Sequence, residues 1–392
     1  MLYHVASCSF ENPVFRILRA VELAETRQDL PLYLSLLDWL KFYDRIHIGP
    51  LLDALWRIGV TSKYLRVLAS LYEQMKIVVR DIFSTSAMFG KEQGLPQGDP
   101  LSCFVSVLLL TVVMLDAEAA WKAAEAIAGE ASTSATVAAF GFDLAMYCDD
   151  ANLLSATLSG LERMLHAVQR EGKFYGLGLN LAKCFVILAG SARHAHAAAG
   201  VVVRDVDGTA LPVVTDEKTL GFNIGATVQV SSVVRQRSAV MFSSMDKYAP
   251  VWLSNISVKK KLERWLALVQ SKGCWSLHLL SLSAGDLHYL DYVGARCLRR
   301  IFDMPAAYIS RISHAQVYAR ARRIFGKIEP VSRMIRRRQF ALLGHVLRMP
   351  AGNPDRRLLF APGVALPPRG SSGPRHVGRP RLAWAELLLE EL

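Results

Sequence analysis

Aspartates stand directly beside apolar, strand-forming segments at two places in this 392-residue chain. Asp38 follows the apolar segment 32–37, and Asp149 and Asp150 lie between two further strand-like segments. An ionised carboxylate next to a buried strand is costly, and adjacent carboxylates repel each other, unless a cation compensates their charge. The pattern therefore predicts that the fold brings these three acids together around a divalent metal ion.

Each of these acids also has an ordinary structural interpretation. Asp38 could cap the helix that follows it, and an Asp-Asp pair is a common turn composition. Because Asp38 lies far from Asp149 in the sequence, their spacing alone does not decide between a metal site and separate local roles.

The positive charge of the chain is concentrated in its C-terminal part. Residues 1–230 contain 19 Lys and Arg against 24 Asp and Glu, residues 231–392 contain 27 against 10, and the whole chain carries a formal charge of +12. Since 52% of the residues are hydrophobic, the chain is not of the disordered class. The asymmetry favours an acidic metal-binding body joined to a basic part that holds nucleic-acid phosphates, with ordinary solvated helices as the alternative.

The cysteines bear on the redox state of the compartment, and the longest apolar run bears on whether the chain crosses a membrane. Six cysteines are scattered without a C-x-x-C pair, which favours free thiols in a reducing, intracellular compartment over a structural zinc site. The longest apolar run, 101–115, is shorter than the roughly 20 residues that a bilayer requires, and serines interrupt it. We therefore expect a buried helix there and no membrane partner.

Apolar periodicity divides the first 230 residues into helices and strands. Ser159 and Glu162 have the spacing of a capping box at the start of one helix. A loop is expected around 129–134, between an alanine-rich helix and a strand. The predicted helices cover 15–27, 51–58, 64–75, 101–115 and 157–175, and the predicted strands cover 32–37, 77–83, 140–146, 153–154, 185–188 and 201–206.

The whole chain is expected to be of the α+β class and to have three parts. Residues 1–230 form the mixed part, residues 231–325 a mostly helical part, and residues 326–392 a basic C-terminal region. Within the last part, the Pro-, Gly- and Arg-rich segment 350–380 predicts a flexible arm. A short helix is expected over 382–392.

Four segments stand in the order of the sequence motifs of reverse transcriptases, which the chain resembles. The segments resembling motifs A, B and C are LDWLKFYDRI (37–46), QGLPQGDPLS (93–102) and YCDD (147–150), and the one resembling motif D is GLGLNLAKC (176–184). The combined order is specific, although each segment alone would be weak evidence. The resemblance implies a right-hand polymerase, with a palm of antiparallel sheet and helices, partial fingers, and a mostly helical thumb followed by the basic region.

Among reverse transcriptases, the chain looks most like those of non-LTR (LINE-type) retrotransposons. The support is the Asp-Trp-x-Lys-x-Tyr-Asp form of motif A and two downstream segments, 337–349 and 378–384. A viral RNA-dependent RNA polymerase fits less well, because its hairpin is usually Gly-Asp-Asp. Since the family usually has a longer fingers region before motif A, we expect an N-terminally truncated copy. Incomplete fingers favour, as the alternative function, a catalytically inactive relic that still binds nucleic acid.

The resemblance implies an RNA-directed DNA polymerase that transfers a nucleotide from a dNTP to the 3′-hydroxyl of a DNA primer on an RNA template. Two Mg²⁺ ions about 4 Å apart, with Mn²⁺ as an alternative, would be its cofactors. Asp38 and Asp149 would bridge the ions, and Asp150 would be an auxiliary ligand. Lys183 of motif D would contact the triphosphate or protonate the leaving pyrophosphate.

The same resemblance assigns four residues to substrate binding. Tyr43 would lie beneath the incoming sugar, where its ring leaves no room for a 2′-hydroxyl, and Tyr147 would lie at the primer terminus. Gln97 and Gly98 of motif B would support the template and the nucleotide, with glycine allowing a close backbone approach. Without the resemblance, Tyr43 would be interpreted as a core aromatic residue.

Basic side chains interleaved with tryptophans in the C-terminal part predict a grip on primer and template. The tryptophans themselves, Trp252, Trp265 and Trp275, are more typical of a core. Basic clusters of this kind, together with the family resemblance, predict a nuclear location. The residues expected to bind nucleic acid are Lys259, Lys260, Lys261, Arg264, Lys272, Arg336, Arg337 and Arg338.

Overall fold

The structure is a computed structural model and describes residues 11–27, 29–91, 93–360 and 383–392. The chain divides into two compact units, Met1–Ala226 and Thr227–Leu392. The first unit mixes helices and strands, and the described part of the second is helical. The α+β class with a helical C-terminal half is thus confirmed, whereas the domain boundaries at residues 230 and 325 stay predictions.

The helices of the first unit are α1 (Glu11–Thr26), α2 (Phe42–Arg45), α3 (Ile48–Arg57), α4 (Ser62–Glu73), α5 (Pro100–Ala128), α6 (Ser132–Phe140), α7 (Leu158–Phe174) and α8 (Ser191–Ala199). Four of them match predicted helices with small shifts at their ends, namely α1, α3, α4 and α7.

The described strands of the first unit are β1 (Pro31–Leu37), β2 (Lys76–Ile77), β3 (Phe89–Gly90), β4 (Leu144–Tyr147), β5 (Asp150–Ser155), β6 (Phe185–Gly190), β7 (Val203–Arg204), β8 (Ala210–Leu211), β9 (Val213–Val214), β10 (Asp216–Thr219) and β11 (Phe222–Gly225). Five of them form one sheet in the order β4-β5-β1-β6-β9, which is antiparallel except for the β6–β9 pair. The predicted antiparallel sheet is therefore confirmed.

The five-stranded sheet is covered on both faces. Successive residues of a strand point to opposite sides, so both faces present apolar side chains to a packing layer. In β6, Val186 and Leu188 belong to the core that includes α5 and α7, whereas Ile187 is buried on the other side. Helix α1 packs against β1, β4 and β6, with Val14 and Ile17 fully buried. This layering holds β1 and β5 at the centre of the sheet, next to the acids at their ends.

Helix α5 is the longest described helix. Asp99 caps its start by accepting hydrogen bonds from the N–H groups of Leu101 and Ser102, and Gly129 ends it at a φ of +66°. Its 29 residues join the apolar run 101–115 to the alanine-rich helix expected to follow it. By length and composition alone, α5 could cross a membrane. Half of its most apolar window is buried inside the protein, and α3, α6 and α7 pack against it, as expected for a core helix.

Helix α6 shortens the loop predicted over 129–134 to residues 129–131, and it shows that the start of the strand predicted from residue 140 is wrong. Glu125 of α5 accepts hydrogen bonds from the Ser132 hydroxyl at 2.7 Å and from the Thr133 N–H at 2.5 Å. The carboxylate of the preceding helix thus caps α6, a contact that local sequence patterns do not reveal.

A tight turn interrupts the strand predicted over 77–83, which is therefore largely wrong. In this region the short strands β2 and β3 pair, and an isolated antiparallel bridge joins Arg80 to Thr85. The Asp81 carboxylate accepts hydrogen bonds from the N–H groups of Phe83 and Ser84, both at 2.7 Å. This Asx-type turn reverses the chain inside the apolar run.

Helix α7 is capped by Thr157, so the capping box predicted from Ser159 and Glu162 is wrong. The Thr157 hydroxyl accepts a hydrogen bond from the Gly160 N–H at 3.1 Å. The side chains of Ser159 and Glu162 instead bond residues outside the helix.

We expect Thr157→Ala to lower the free energy of unfolding by about 1 kcal/mol, because it removes the only side-chain acceptor at this helix start. Ser159→Ala is the control, with an expected change within about 0.5 kcal/mol. Urea unfolding of both variants measures the difference. Equal losses in the two variants would contradict the assignment of the cap.

The second unit is built around α13, which packs against α9, α11, α15 and α16. Trp252 and Trp265 are buried, as is typical of core tryptophans. The helices are α9 (Val230–Lys247), α10 (Ala249–Leu253), α11 (Val258–Trp265), α12 (Ser271–Gly273), α13 (Ala284–Ile301), α14 (Ala307–Ser310), α15 (His314–Ile324), α16 (Val331–Leu347), α17 (Pro354–Leu359) and α18 (Trp384–Leu389).

The flexible arm predicted over 350–380 is wrong for its first part, which contains α17. Arg356 anchors this helix by donating to the carbonyl groups of Leu347 and Met349, both at 2.7 Å. Residues 361–382, with the Gly-Arg-Pro segment of the family resemblance, lie outside the described residues. The short closing helix is confirmed by α18.

Candidate active site

Two of the three predicted acids lie opposite each other at the ends of neighbouring strands. The antiparallel register of β1 and β5 ends with Leu37 opposite Ala151. One position further, Asp38 and Asp150 stand across from each other, as cross-strand neighbours do. Sheet pairing therefore joins two acids that lie far apart in the sequence.

The third acid lies on the hairpin turn that joins β4 to β5. The half-buried Tyr147 pairs with Asp150, which leaves Cys148 and Asp149 as a two-residue turn. Cys148 has a φ of +54°, a left-handed conformation that costs a non-glycine residue about 1–3 kcal/mol. The turn leaves the Asp149 side chain exposed next to the paired acids.

The charges of the three acids act on one another. Burial raises the pKa of Asp150 to about 6, and the neighbouring carboxylates of Asp149 and Asp38 contribute to the increase. A bound cation would favour the ionised form and so oppose this shift. The site is thus an anionic cluster whose charge a divalent ion would compensate.

The donor set suits a hard divalent cation, although the acids do not enclose a site by themselves. Within the part of the chain that the structure describes, no three His, Cys, Asp or Glu side chains are grouped closely enough to hold a metal ion. Carboxylate oxygens are the ligands that Mg²⁺ and Mn²⁺ prefer, and Mg²⁺ needs only one or two of them when phosphates and water complete its shell. Asp38, Asp149 and Asp150 therefore fit an ion that arrives with a nucleotide.

Asp38 is held by the segment 176–184. Lys183 is the one residue of this segment that was predicted to take part in the active site. Asn180 donates from Nδ2 to Asp38 Oδ2 at 3.1 Å, and the Asp38 N–H donates to the sulfur of the buried Cys184 at 3.4 Å. Lys183 is exposed, on a 3₁₀ turn between these two contacts. Membership of the same short motif was the only sequence signal that could have pointed to Asn180 and Cys184.

Tyr43 lies close to the acids and to helix α5. Its hydroxyl donates to Cys103 Sγ at 3.7 Å, and its ring packs edge-on against Phe42 at a centroid distance of 5.3 Å. Burial raises the pKa of Tyr43, and the negative charge of Asp149 adds to the increase. The structure thus brings Tyr43 to the site, and its role towards the sugar stays a prediction.

The loop that carries Gln97 and Gly98 is attached to α2. The Gly94 N–H donates to the Ile46 carbonyl at 2.8 Å, and a Cβ on Gly94, whose φ is +84°, would lie 2.6 Å from the carbonyl oxygen of Asp44. Glycine is therefore required at this approach. Gln97 is exposed and donates to the Asp44 carboxylate at 3.4 Å, and the space around Gly98 is open. Their template and nucleotide contacts stay predictions.

The first cluster of predicted nucleic-acid-binding residues lies on and after α11. Lys261 donates to the Trp252 carbonyl at 2.5 Å, which ties this ammonium group to the helical unit. Lys272 lies 5.6 Å from the centre of the Tyr248 ring, an arrangement that leaves its charge accessible. The exposed members of the cluster are Lys259, Lys260, Arg264 and Lys272.

The second cluster lies on α16. Arg336 is half-buried and donates to the Glu391 carboxylate, and burial lowers its pKa. Arg337 pairs with Glu329 at 2.6 Å but is 68% exposed, and Arg338 is exposed. Arg336 therefore has a structural role in the unit, whereas Arg337 and Arg338 are open to a ligand. Nucleic-acid binding by either cluster stays a prediction.

Several solved telomerase structures are similar to the chain at low identity. Telomerase from Candida albicans in complex with a TWJ fragment of telomeric RNA is 13% identical, with 78% of this chain and 52% of that chain covered and a TM-score of 0.41. Telomerase from Candida tropicalis with such a fragment is 13% identical, with 84% and 52% covered and a TM-score of 0.38. Apo telomerase from Candida tropicalis is 15% identical, with 88% and 51% covered and a TM-score of 0.39. The chain spans about half the length of the telomerase chains it matches.

A family model covers the first unit and the start of the second. The model described as reverse transcriptase (RNA-dependent DNA polymerase) matches residues 1–237. No curated protein sequence matches the chain. The family match covers more than half of the chain and supports the right-hand polymerase class predicted from motifs A to D. The chain therefore belongs to the reverse transcriptase (RNA-dependent DNA polymerase) family.

Proposed function

We propose that this chain is an RNA-directed DNA polymerase that adds dNTPs to the 3′-hydroxyl of a DNA primer on an RNA template. The observation that carries the proposal is the position of Asp38 and Asp150 next to each other at the ends of neighbouring strands, with Asp149 on the adjoining turn. In a member of the reverse transcriptase family, three acids in this arrangement are suited to nucleotidyl transfer.

The acids have distinct tasks under this proposal. Asp38 and Asp149 would hold two Mg²⁺ ions, and Asp150 would be an auxiliary ligand. Such ions would supply charge compensation for the attacking hydroxyl and the leaving pyrophosphate. The protein itself contributes positioning, because the sheet register fixes the acids before the nucleotide arrives. Lys183, exposed beside the Asp38 contacts, binds triphosphate oxygens or protonates the pyrophosphate.

The same proposal assigns four residues to substrate binding. Tyr43, next to Asp149, presents its ring to the incoming sugar and excludes a 2′-hydroxyl, which favours dNTPs over NTPs. Tyr147, at the end of β4, meets the primer terminus. The exposed Gln97 and Gly98 support the template and the nucleotide.

The proposal extends to the type of element and the place of action. The form of motif A and segment 337–349 support an origin in a non-LTR (LINE-type) retrotransposon. A nuclear location is proposed with this origin, because basic clusters like those of the C-terminal part also act as nuclear targeting signals. The exposed basic side chains of α11 and α16 would hold the primer-template duplex by charge, and this hold weakens as salt rises.

Primer extension tests the proposal directly. The purified chain, given a labelled DNA primer on an RNA template, dNTPs and Mg²⁺, is expected to lengthen the primer. EDTA should stop extension, and added Mg²⁺ or Mn²⁺ should restore it. The acids are negatively charged, so a bound cation is needed to compensate the negative charge that develops on the pyrophosphate. Replacing dNTPs with NTPs should reduce extension. Salt-sensitive binding of the primer-template without extension under any metal condition would instead support the inactive, nucleic-acid-binding alternative.

A further inference from the structure

We propose that Asn180 is a positioning residue that orients the carboxylate of Asp38 for metal binding, and that Cys184 holds the backbone of the same residue. The inference rests on the proposed function, since the orientation of Asp38 matters only if Asp38 holds a metal ion. Nothing in the apolar periodicity or the charge distribution of the chain singles out either residue.

Backbone hydrogen bonds fix the segment that carries Asn180 against the residues that follow β1. The Leu40 N–H donates to the Gly178 carbonyl, and the Asn180 N–H donates to the Asp38 carbonyl, both at 2.8 Å. These bonds involve no side chains, so they remain when residue 180 is substituted. A variant at this position therefore removes the side-chain contact with Asp38 without releasing the segment.

The Asn180 side chain engages one of the two carboxylate oxygens of Asp38. Its Nδ2 donates to Oδ2 at 3.1 Å, which leaves Oδ1 for a metal ion. An outer hydrogen-bond partner fixes the direction in which a ligating carboxylate points. A neutral amide does this without adding positive charge, so the full negative charge of Asp38 stays available to a divalent cation.

Cys184 holds Asp38 from the backbone side. Its sulfur accepts the Asp38 N–H at 3.4 Å and lies 3.7 Å from the Asp38 carbonyl oxygen. The side chain is fully buried, and a thiol can both donate and accept weak hydrogen bonds. One short segment thus holds the N–H, the carbonyl and the carboxylate of Asp38.

Direct metal binding tests this role without relying on activity. Binding of Mn²⁺ to the full chain is measured with a dideoxy-terminated primer on its template and a dNTP, because nucleotide phosphates complete the metal shell. The readout is the electron paramagnetic resonance signal of free Mn²⁺, after subtraction of the Mn²⁺ that the same dNTP and primer-template bind without protein. Asn180→Leu keeps the side-chain volume but cannot donate, and Asn180→Ala removes both. Loss of an outer-shell partner typically costs 10–100-fold in metal affinity, so both variants should bind Mn²⁺ at least about tenfold more weakly.

Primer extension gives a second readout that a merely structural role would not change. The Mg²⁺ concentration for half-maximal rate should rise by a similar factor in both Asn180 variants. The KM for dNTP at saturating Mg²⁺ should stay within about twofold, because Asn180 contacts Asp38 and has no assigned contact with the nucleotide. An unchanged Mg²⁺ requirement would overturn the proposal.

Two further variants separate the possible outcomes. Asn223→Ala is the matched control, because the Asn223 amide donates to the Asp216 carboxylate at 2.8 Å on the β10–β11 hairpin, and it should bind Mn²⁺ as the wild type does. If Asp38→Ala does not weaken Mn²⁺ binding, the metal site of the proposed function is itself wrong. If Asp38→Ala weakens binding and either Asn180 variant does not, the hydrogen-bonding role of Asn180 is wrong while the metal site stands.

Discussion

Replacing Asp149 with alanine is expected to reduce primer extension on an RNA template by at least about a thousandfold. A metal-bound carboxylate secures several kcal/mol of charge stabilisation in the transition state, and each 1.4 kcal/mol corresponds to a factor of ten in rate. Asp149 is exposed on a hairpin turn, so its removal should change the free energy of unfolding by no more than about 0.5 kcal/mol. Single-turnover incorporation of one dNTP with Mg²⁺ measures the loss.

An exposed acid elsewhere in the same unit provides the control for this prediction. Asp207 lies on the turn between β7 and β8 and has no assigned contact with substrate. Asp207→Ala should extend the primer at the wild-type rate, because general loss of negative charge is not the cause of the defect. If Asp149→Ala retained more than a tenth of wild-type extension, the proposed metal site would have to be placed elsewhere.

The sheet and its acidic hairpin could be predicted because their signals are local. An apolar run before Asp38 and a polar pair between two strand-like segments are patterns that strand burial and turn formation create directly. The order of the motifs then placed Asp149 next to Asp38. Since the acids terminate paired strands, the register that buries the apolar residues also aligns them.

The wrong predictions about the fold have a common physical cause. Each overlooks a polar contact that cannot be recognised from the periodicity of apolar residues. Glu125 caps α6 from the preceding helix, so the second half of the segment expected as a loop is helical. Asp81 binds two N–H groups and breaks an apolar run that has the composition of a strand. In both cases one carboxylate satisfies backbone donors that the expected structure would have satisfied differently.

The contact between Asn180 and Asp38 was also not predictable from the sequence, but for a different reason. It depends on the register between the residues after β1 and a segment far along the chain, and packing sets that register. Trp39 packs against Gly172 of α7, where an added Cβ would lie 3.1 Å from the indole ring. Motif order gives the residue types near Asp38, whereas only this packing decides which of them can reach its carboxylate.

Asp143→Asn is expected to stabilise the protein at neutral pH by up to about 3 kcal/mol. Asp143 lies just before β4 and is only 7% exposed. Burial raises the pKa of its carboxyl group to about 6, with Glu118 and Glu125 adding to the increase and Lys122 opposing it. In the unfolded chain an aspartate has a pKa of about 3.9. At pH 7 the folded protein therefore disfavours the negative charge that Asp143 carries freely in the unfolded chain.

The pH dependence of this effect distinguishes it from an ordinary packing change. As pH rises from about 4 to 6, the unfolded chain loses the Asp143 proton before the folded protein does, so the free energy of unfolding of the wild type falls. Asp143→Asn has no proton to lose there. Its advantage in urea unfolding should be small at pH 4 and full above about pH 7. Asp207→Asn, at an exposed turn, should differ from the wild type by less than about 0.5 kcal/mol throughout. An advantage of Asp143→Asn that did not grow with pH would show that burial of the charge is not its source.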